Sequence, residues 1–317
     1  MTRIDRRVAL FGMSAGLLSA CSDLDLAEGK PEPKGGLGGT GIVGTLTDFG
    51  SLLVNGLRVE TASALSVSSA LGALAVEALA IGHQLTIEAA TEDGRLVAKR
   101  VHLAHPVIGQ VAEMASDGRT GSIAGIRVTL DPDAIGSLAL GAWVAVSGTW
   151  QGDQVRASRI DPAPEGAEAI AGEVRVQDDG RLTIGDVTLL LGDAEPPQVG
   201  GYVTVIGRAS EAGFIVDGLE EGRFTGAAGP LATLSIEGYL EPTPQAPFYA
   251  ISGLGHSFDR EAALASIQQE RAVFSGAYIG SFKVETALVL PEEFAKRREV
   301  LRDALAVPGS VPLISTR

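Results

Sequence analysis

A short grammar recurs along this chain about every 65 residues, and it limits the fold to a string of similar small units. Each copy opens with an apolar stretch built around a glycine. The four openings are Ile42-Val43-Gly44-Thr45-Leu46, Ile108-Gly109-Gln110-Val111, Ile170-Ala171-Gly172-Glu173-Val174 and Ile236-Glu237-Gly238-Tyr239-Leu240. The second element is a pair of short strands meeting at a glycine. Leu52 to Val59 carries Asn55-Gly56, a strong two-residue hairpin signal. Ser122 to Val128 and Leu182 to Leu189 repeat the pattern, and Tyr249 to Leu254 is a looser copy. The third element is a glycine, two residues and an alternating strand: Gly82 to Ile87, Gly141 to Val146 and Gly200 to Val205. A closing strand follows a polar turn at Gly94 to Val101, Gln154 to Ile160 and Gly213 to Asp217. In the fourth copy Arg271 to Phe274 and Ser281 to Glu285 supply these last two strands.

Alternation with period two over such lengths predicts half-buried antiparallel strands. Each unit therefore has about five strands, with an insertion between the third and fourth. That insertion is long and Ala-rich at Ala62 to Ala80, where a helix is expected, and Arg260 to Gln269 reads likewise. The fold class is mainly β: tandem small OB-like antiparallel β-barrels with short helical insertions and a C-terminal helix. Closure removes exposed strand edges, and the glycines serve barrel corners and bulges. The C-terminal helix is expected over Pro291 to Leu305, with Phe294, Leu301 and Leu305 on one face. It either plugs the last barrel or docks between barrels. The divisions are 1–20 export signal, 21–40 tether, and repeats at 41–105, 106–165, 166–222 and 223–317.

The first residues carry an address. Arg3, Arg6 and Arg7 precede an apolar run from Val8 to Leu18, too short to span a bilayer. Small residues Ser19 and Ala20 then lead to Cys21, the only cysteine of the chain. Leu18-Ser19-Ala20-Cys21 resembles a bacterial lipobox. The resemblance implies cleavage before Cys21, acylation of its sulfur and new amino group, and anchoring by two or three acyl chains. Ser22, in place of the aspartate that retains such proteins at the inner membrane, implies the periplasmic face of the outer membrane. Arg6-Arg7 also resembles a twin-arginine signal. The competing reading is a soluble protein with Cys21 buried in a first helix. Lys30 to Lys34 is a stiff segment and Gly35 to Gly41 a flexible one, so a tether follows the anchor.

Gly41 to Val59, with its Gly-Ile-x-Gly, Phe49-Gly50-Ser51 and Val54-Asn55-Gly56, resembles the domain of unknown function 5666. That domain occurs in exported bacterial proteins, often in tandem. The resemblance implies a fold but no activity, and it transfers no catalytic residue.

No chemistry-bearing motif survives its context. Gly36-Leu37-Gly38-Gly39-Thr40-Gly41 satisfies G-x-G-x-x-G, but a tether precedes it and a strand follows, the reverse of a dinucleotide site. Gly12-Met13-Ser14-Ala15-Gly16 satisfies G-x-S-x-G inside the export signal. His102 and His105, three apart on a strand, fall on opposite faces and read as surface or linker histidines. His83 and His256 occupy turn-like places near strand starts. Asp131-Pro132-Asp133 and Asp178-Asp179 lack the ligand spacing of a calcium loop and read as solvated turns. No catalytic residue, metal site or cofactor is assigned. Trp143, Trp150 and Tyr202 are candidate ligand-stacking residues, with core packing the competing role. A net charge of −14, with 25 basic residues against 39 acidic, argues against nucleic acid. Loss of residues 1–20, which hold three Arg and one Asp, takes the charge to −16. The mean hydropathy of +0.22 excludes a disordered acidic chain. These features point to a non-catalytic envelope protein, anchored to the membrane through Cys21, that binds or scaffolds another envelope protein. The alternatives are recognition of a small molecule or oligosaccharide and, third, a hydrolase with a site between repeats.

Overall fold

The computed structural model describes residues 38–62, 65–243, 249–258 and 267–306. The export signal, Cys21 and the tether up to residue 37 lie outside the described residues, as do most of the helix expected over 260–269 and the side chain of Leu305.

Repeat one contains β1 (Gly39–Asp48), β2 (Leu52–Val54), β3 (Leu57–Glu60), β4 (Ser66–Ser69), β5 (Gly72–Ala75), β6 (Gln84–Glu92) and β7 (Arg95–Ala104). β1 pairs antiparallel with β2 and β6, β2 with β3, and β6 with β7; β3 then runs parallel to β7 at Val59 and Leu96. The ring 1-2-3-7-6-1 is a closed small barrel with the OB strand order. Asn55 and Gly56, at φ of 55° and 74°, form the turn that their sequence predicts.

Repeat two repeats this ring with β8 (Val107–Met114), β9 (Thr120–Ile123), β10 (Ile126–Ile135), β11 (Trp143–Gln151) and β12 (Gln154–Pro162), closed by β10 parallel to β12. Repeat three uses β13 (Ala169–Val176), β14 (Leu182–Ile184), β15 (Val187–Leu190), β16 (Tyr202–Ser210) and β17 (Gly213–Glu221), closed by β15 parallel to β17. Repeat four has β18 (Leu231–Pro242), β19 (Tyr249–Ile251), β20 (His256–Phe258), β21 (Arg271–Tyr278) and β22 (Phe282–Val289). Among its described residues no ladder joins β20 to β22.

The recurrent glycine of the opening strand has a steric role. The second strand crosses over it so closely that a Cβ on Gly238 would sit 2.2 Å from Ile251, and one on Gly172 2.7 Å from Ile184. A second signature lies between the last two strands of every repeat. Each ladder shifts register there, at 88/89, 147/148, 206/207 and 275/276. Such a bulge bends the strand pair and lets a five-strand sheet curl into a ring.

The expected helix at Ala62 to Ala80 is instead a β-hairpin, β4–β5, followed by one 3-10 turn at Val76–Ala78. β3 pairs with β7 only at Leu96 and Val97; β4 takes over along Val101 to Leu103. Satisfying the remaining peptide groups of β7 outweighs the weak helix preference of the Ala-rich stretch. The C-terminal helix does form, as α1 (Phe294–Ala306), with Phe294 and Leu301 buried.

The repeats join out of chain order. β1 runs parallel to β18, linking repeats one and four, and β8 pairs with β13, linking two and three. Val43 of repeat one accordingly lies in the hydrophobic core of repeat four, while repeats two and three share a core.

Candidate functional site

Two features sit where repeats meet. The first is a buried charge junction. Arg271 opens β21 and is fully buried. Its Nε donates to Glu237 Oε1 at 2.7 Å, its Nη1 to Asp131 Oδ2 at 2.9 Å and its Nη2 to Thr149 Oγ1 at 3.1 Å. Asp131 Oδ2 also accepts from Arg297 of α1 at 2.7 Å, and Glu237 Oε2 accepts from the Thr45 N–H at 2.7 Å. Arg156 bridges Asp131 to Glu292, which accepts from the Tyr239 hydroxyl. The junction thus ties repeats one, two and four to α1. Burial alone would raise the Glu237 pKa, but Arg271, Arg297 and the Thr45 N–H outweigh it and hold the carboxyl below its ordinary range. Burial opposes charge on Arg271 too, yet Glu237 and Asp131 raise its pKa.

This corrects the solvated-turn reading of Asp131-Pro132-Asp133. Asp131 is fully buried, and Asp133 caps α1 by accepting from the N–H groups of Phe294 and Ala295. β10 also carries Arg127, Thr129 and Asp133, so its sequence does not single out Asp131, and the partners Arg271 and Arg297 are too far away in the chain to be foreseen. Asp179 does sit in an exposed turn, paired with Arg181.

The second feature is a cleft of about 270 Å³ between repeats one and two, bordered by the β4–β5 hairpin. His83, His105, Arg159 and Asp161 contribute its polar lining, and Leu71, Leu74 and Leu103 its apolar lining. His83 Nδ1 accepts the Ala80 N–H at 2.9 Å, which puts the ring proton on Nε2, where it is donated to Asp161 at 2.9 Å. Arg159 donates to both oxygens of Asp161. Burial opposes ionisation of Asp161, but the bonds from His83 and Arg159 prevail and bring its pKa down to about 2. His105 is 5% exposed, and its Nδ1 is buried without a hydrogen-bond partner. Burial, with help from His83 and His102, pushes its pKa down to about 3.

His105 is therefore not a surface or linker residue, and His102 is half-buried. The chain end of β7 is covered by repeat two and by the β4–β5 hairpin, contacts that strand periodicity does not encode. His102 bonds Ser68 Oγ at 3.0 Å, and burial brings its pKa to about 4. His256 packs among Phe224, Tyr278 and Phe282. Among the described residues no group of three or more His, Cys, Asp or Glu is placed to hold a metal ion.

The three candidate stacking residues are not brought together. Trp150 is 2% exposed, donates to the Ala171 carbonyl at 3.0 Å and lies against Gly253. Trp143 is half-buried at the start of β11. Tyr202 is half-buried, and the Arg223 guanidinium lies 3.7 Å above its ring.

A family described as a domain of unknown function (DUF5666) matches residues 40–102 and 109–161, so repeats one and two are a tandem match to that domain. Repeats three and four lie outside these two matches. No curated protein and no solved structure matches the chain.

Proposed function

We propose that this chain is a non-catalytic, lipid-anchored protein of the cell envelope that acts as a rigid binding or scaffold module for another envelope protein. The observation that carries this reading is the buried charge junction. It fastens repeats one, two and four to α1, as suits a platform that must present fixed surfaces. The histidine chemistry supports the non-catalytic part. The His83–Asp161 pair has both imidazole nitrogens engaged, by Ala80 and by Asp161. The Ser68–His102 pair has no carboxylate on its second ring nitrogen among the hydrogen bonds of the described residues. A nucleophile, a free base nitrogen and an orienting acid are thus split between two places rather than joined.

Cys21 supplies the membrane anchor in this reading. Cys21→Ala is expected to abolish incorporation of a labelled fatty acid and to release the protein from the membrane fraction. Continued labelling of that variant would refute the anchor. Crosslinking in intact envelopes followed by affinity capture is expected to recover one reproducible protein partner. Recovery of none would overturn the scaffold role.

A further inference from the structure

We propose that the cleft between repeats one and two binds a small uncharged molecule with an apolar body and one hydrogen-bonding head, a hydroxyl or carbonyl, that pairs with His105. This goes beyond the scaffold reading and does not depend on it. The size fits: at about 270 Å³ the cleft exceeds the cavity of about 150 Å³ known to admit benzene. Leu71, Leu74 and Leu103 offer an apolar lining. The charged lining groups are already spent on each other. Asp161 holds His83 and Arg159, and Arg159 Nη1 also donates to the Ile81 carbonyl. A charged ligand would lose its hydration and find no free counter-charge.

His105 is the group left over. It is 95% buried, it lines the cleft, and its Nδ1 has no partner. A buried polar atom without a partner is costly, and native proteins rarely keep one without cause. A neutral imidazole offers one donor and one acceptor, so it matches a hydroxyl or carbonyl rather than an ion. The low pKa of His105 keeps it in that neutral form at pH 7.

The test uses the mature chain with ¹⁵N-labelled histidine and three probes of one shape: p-cresol, toluene and 4-methylbenzoate. Saturable binding of p-cresol is expected, about tenfold tighter than toluene, with a shift of the His105 ring nitrogens. 4-Methylbenzoate is expected to bind more weakly than p-cresol. His105→Phe should erase the preference for p-cresol over toluene, and Leu74→Trp should block both. Should His105→Phe fail to fold, the wild-type nitrogen shift and Leu74→Trp decide the matter. No saturable binding, an unmoved His105 resonance, equal affinity for toluene or tighter binding of the benzoate would each overturn the proposal.

Discussion

Arg271 is held by side chains from residues 131, 149 and 237, and no stretch of sequence near it names these partners. Removing one member of a buried ionic set leaves the others uncompensated, at a cost of about 3–5 kcal/mol. Arg271→Met is therefore expected to lower the unfolding free energy by about that amount in urea titration, since Glu237 would stay buried beside a thioether. Glycines provide a second residue-scale case. Gly253 has φ +63°, and a Cβ there would lie 2.2 Å from Trp150. Gly253→Ala is expected to cost about 2–4 kcal/mol from overpacking and left-handed strain together. Gly218 on β17 has open space around it, so Gly218→Ala should stay within about 0.5 kcal/mol in the same titration.

Elements show how far local pattern reaches. The five ring strands of repeats one to three were legible, because alternation and turn residues act over a few positions; in repeat four β20 was not. Asn55-Gly56 is the clearest instance. Ala62 to Ala80 was not legible as a hairpin. Its composition favours a helix weakly, and the open stretch of β7 that recruits β4 is a property of the folded barrel. Helix α1 was legible, but its seat was not. Its first N–H groups are capped by Asp133, more than 160 positions away. Asp133→Ala is expected to cost about 1 kcal/mol and to speed amide exchange in the first turn of α1. Exchange left unchanged there would show that the cap does not hold the helix.

At the scale of the whole molecule, the buried ring of His105 and the half-buried rings of His102 and His256 couple stability to pH. His102, His105 and His256 have pKa values of about 4, 3 and 3 when folded, against 6.5 when exposed. Burial is the main cause in each. Below pH 6.5 the unfolded chain binds protons that the folded chain refuses, so stability must fall as pH drops from about 6.5 toward 3. Glu237 adds to this, because its stabilising charge is lost as pH falls below 4.5 through its depressed folded value. Urea midpoints at pH 7, 6, 5 and 4 are expected to decline steadily. A midpoint flat between pH 7 and 5 would contradict the burial of these rings.

Strands, hairpin turns and the recurrence of the unit could be read from the sequence. Strand alternation and turn residues act within about ten residues, and each copy repeats them. Tertiary structure alone decided that repeat one joins repeat four, that Asp131 is a buried anchor and that His83 meets Asp161 across a cleft. The contacts of His83 with Asp161, Asp131 with Arg271 and Val43 with Ile236 join residues 78, 140 and 193 positions apart. Their geometry arises only when the barrels pack, since no local pattern records which face of one barrel another will cover.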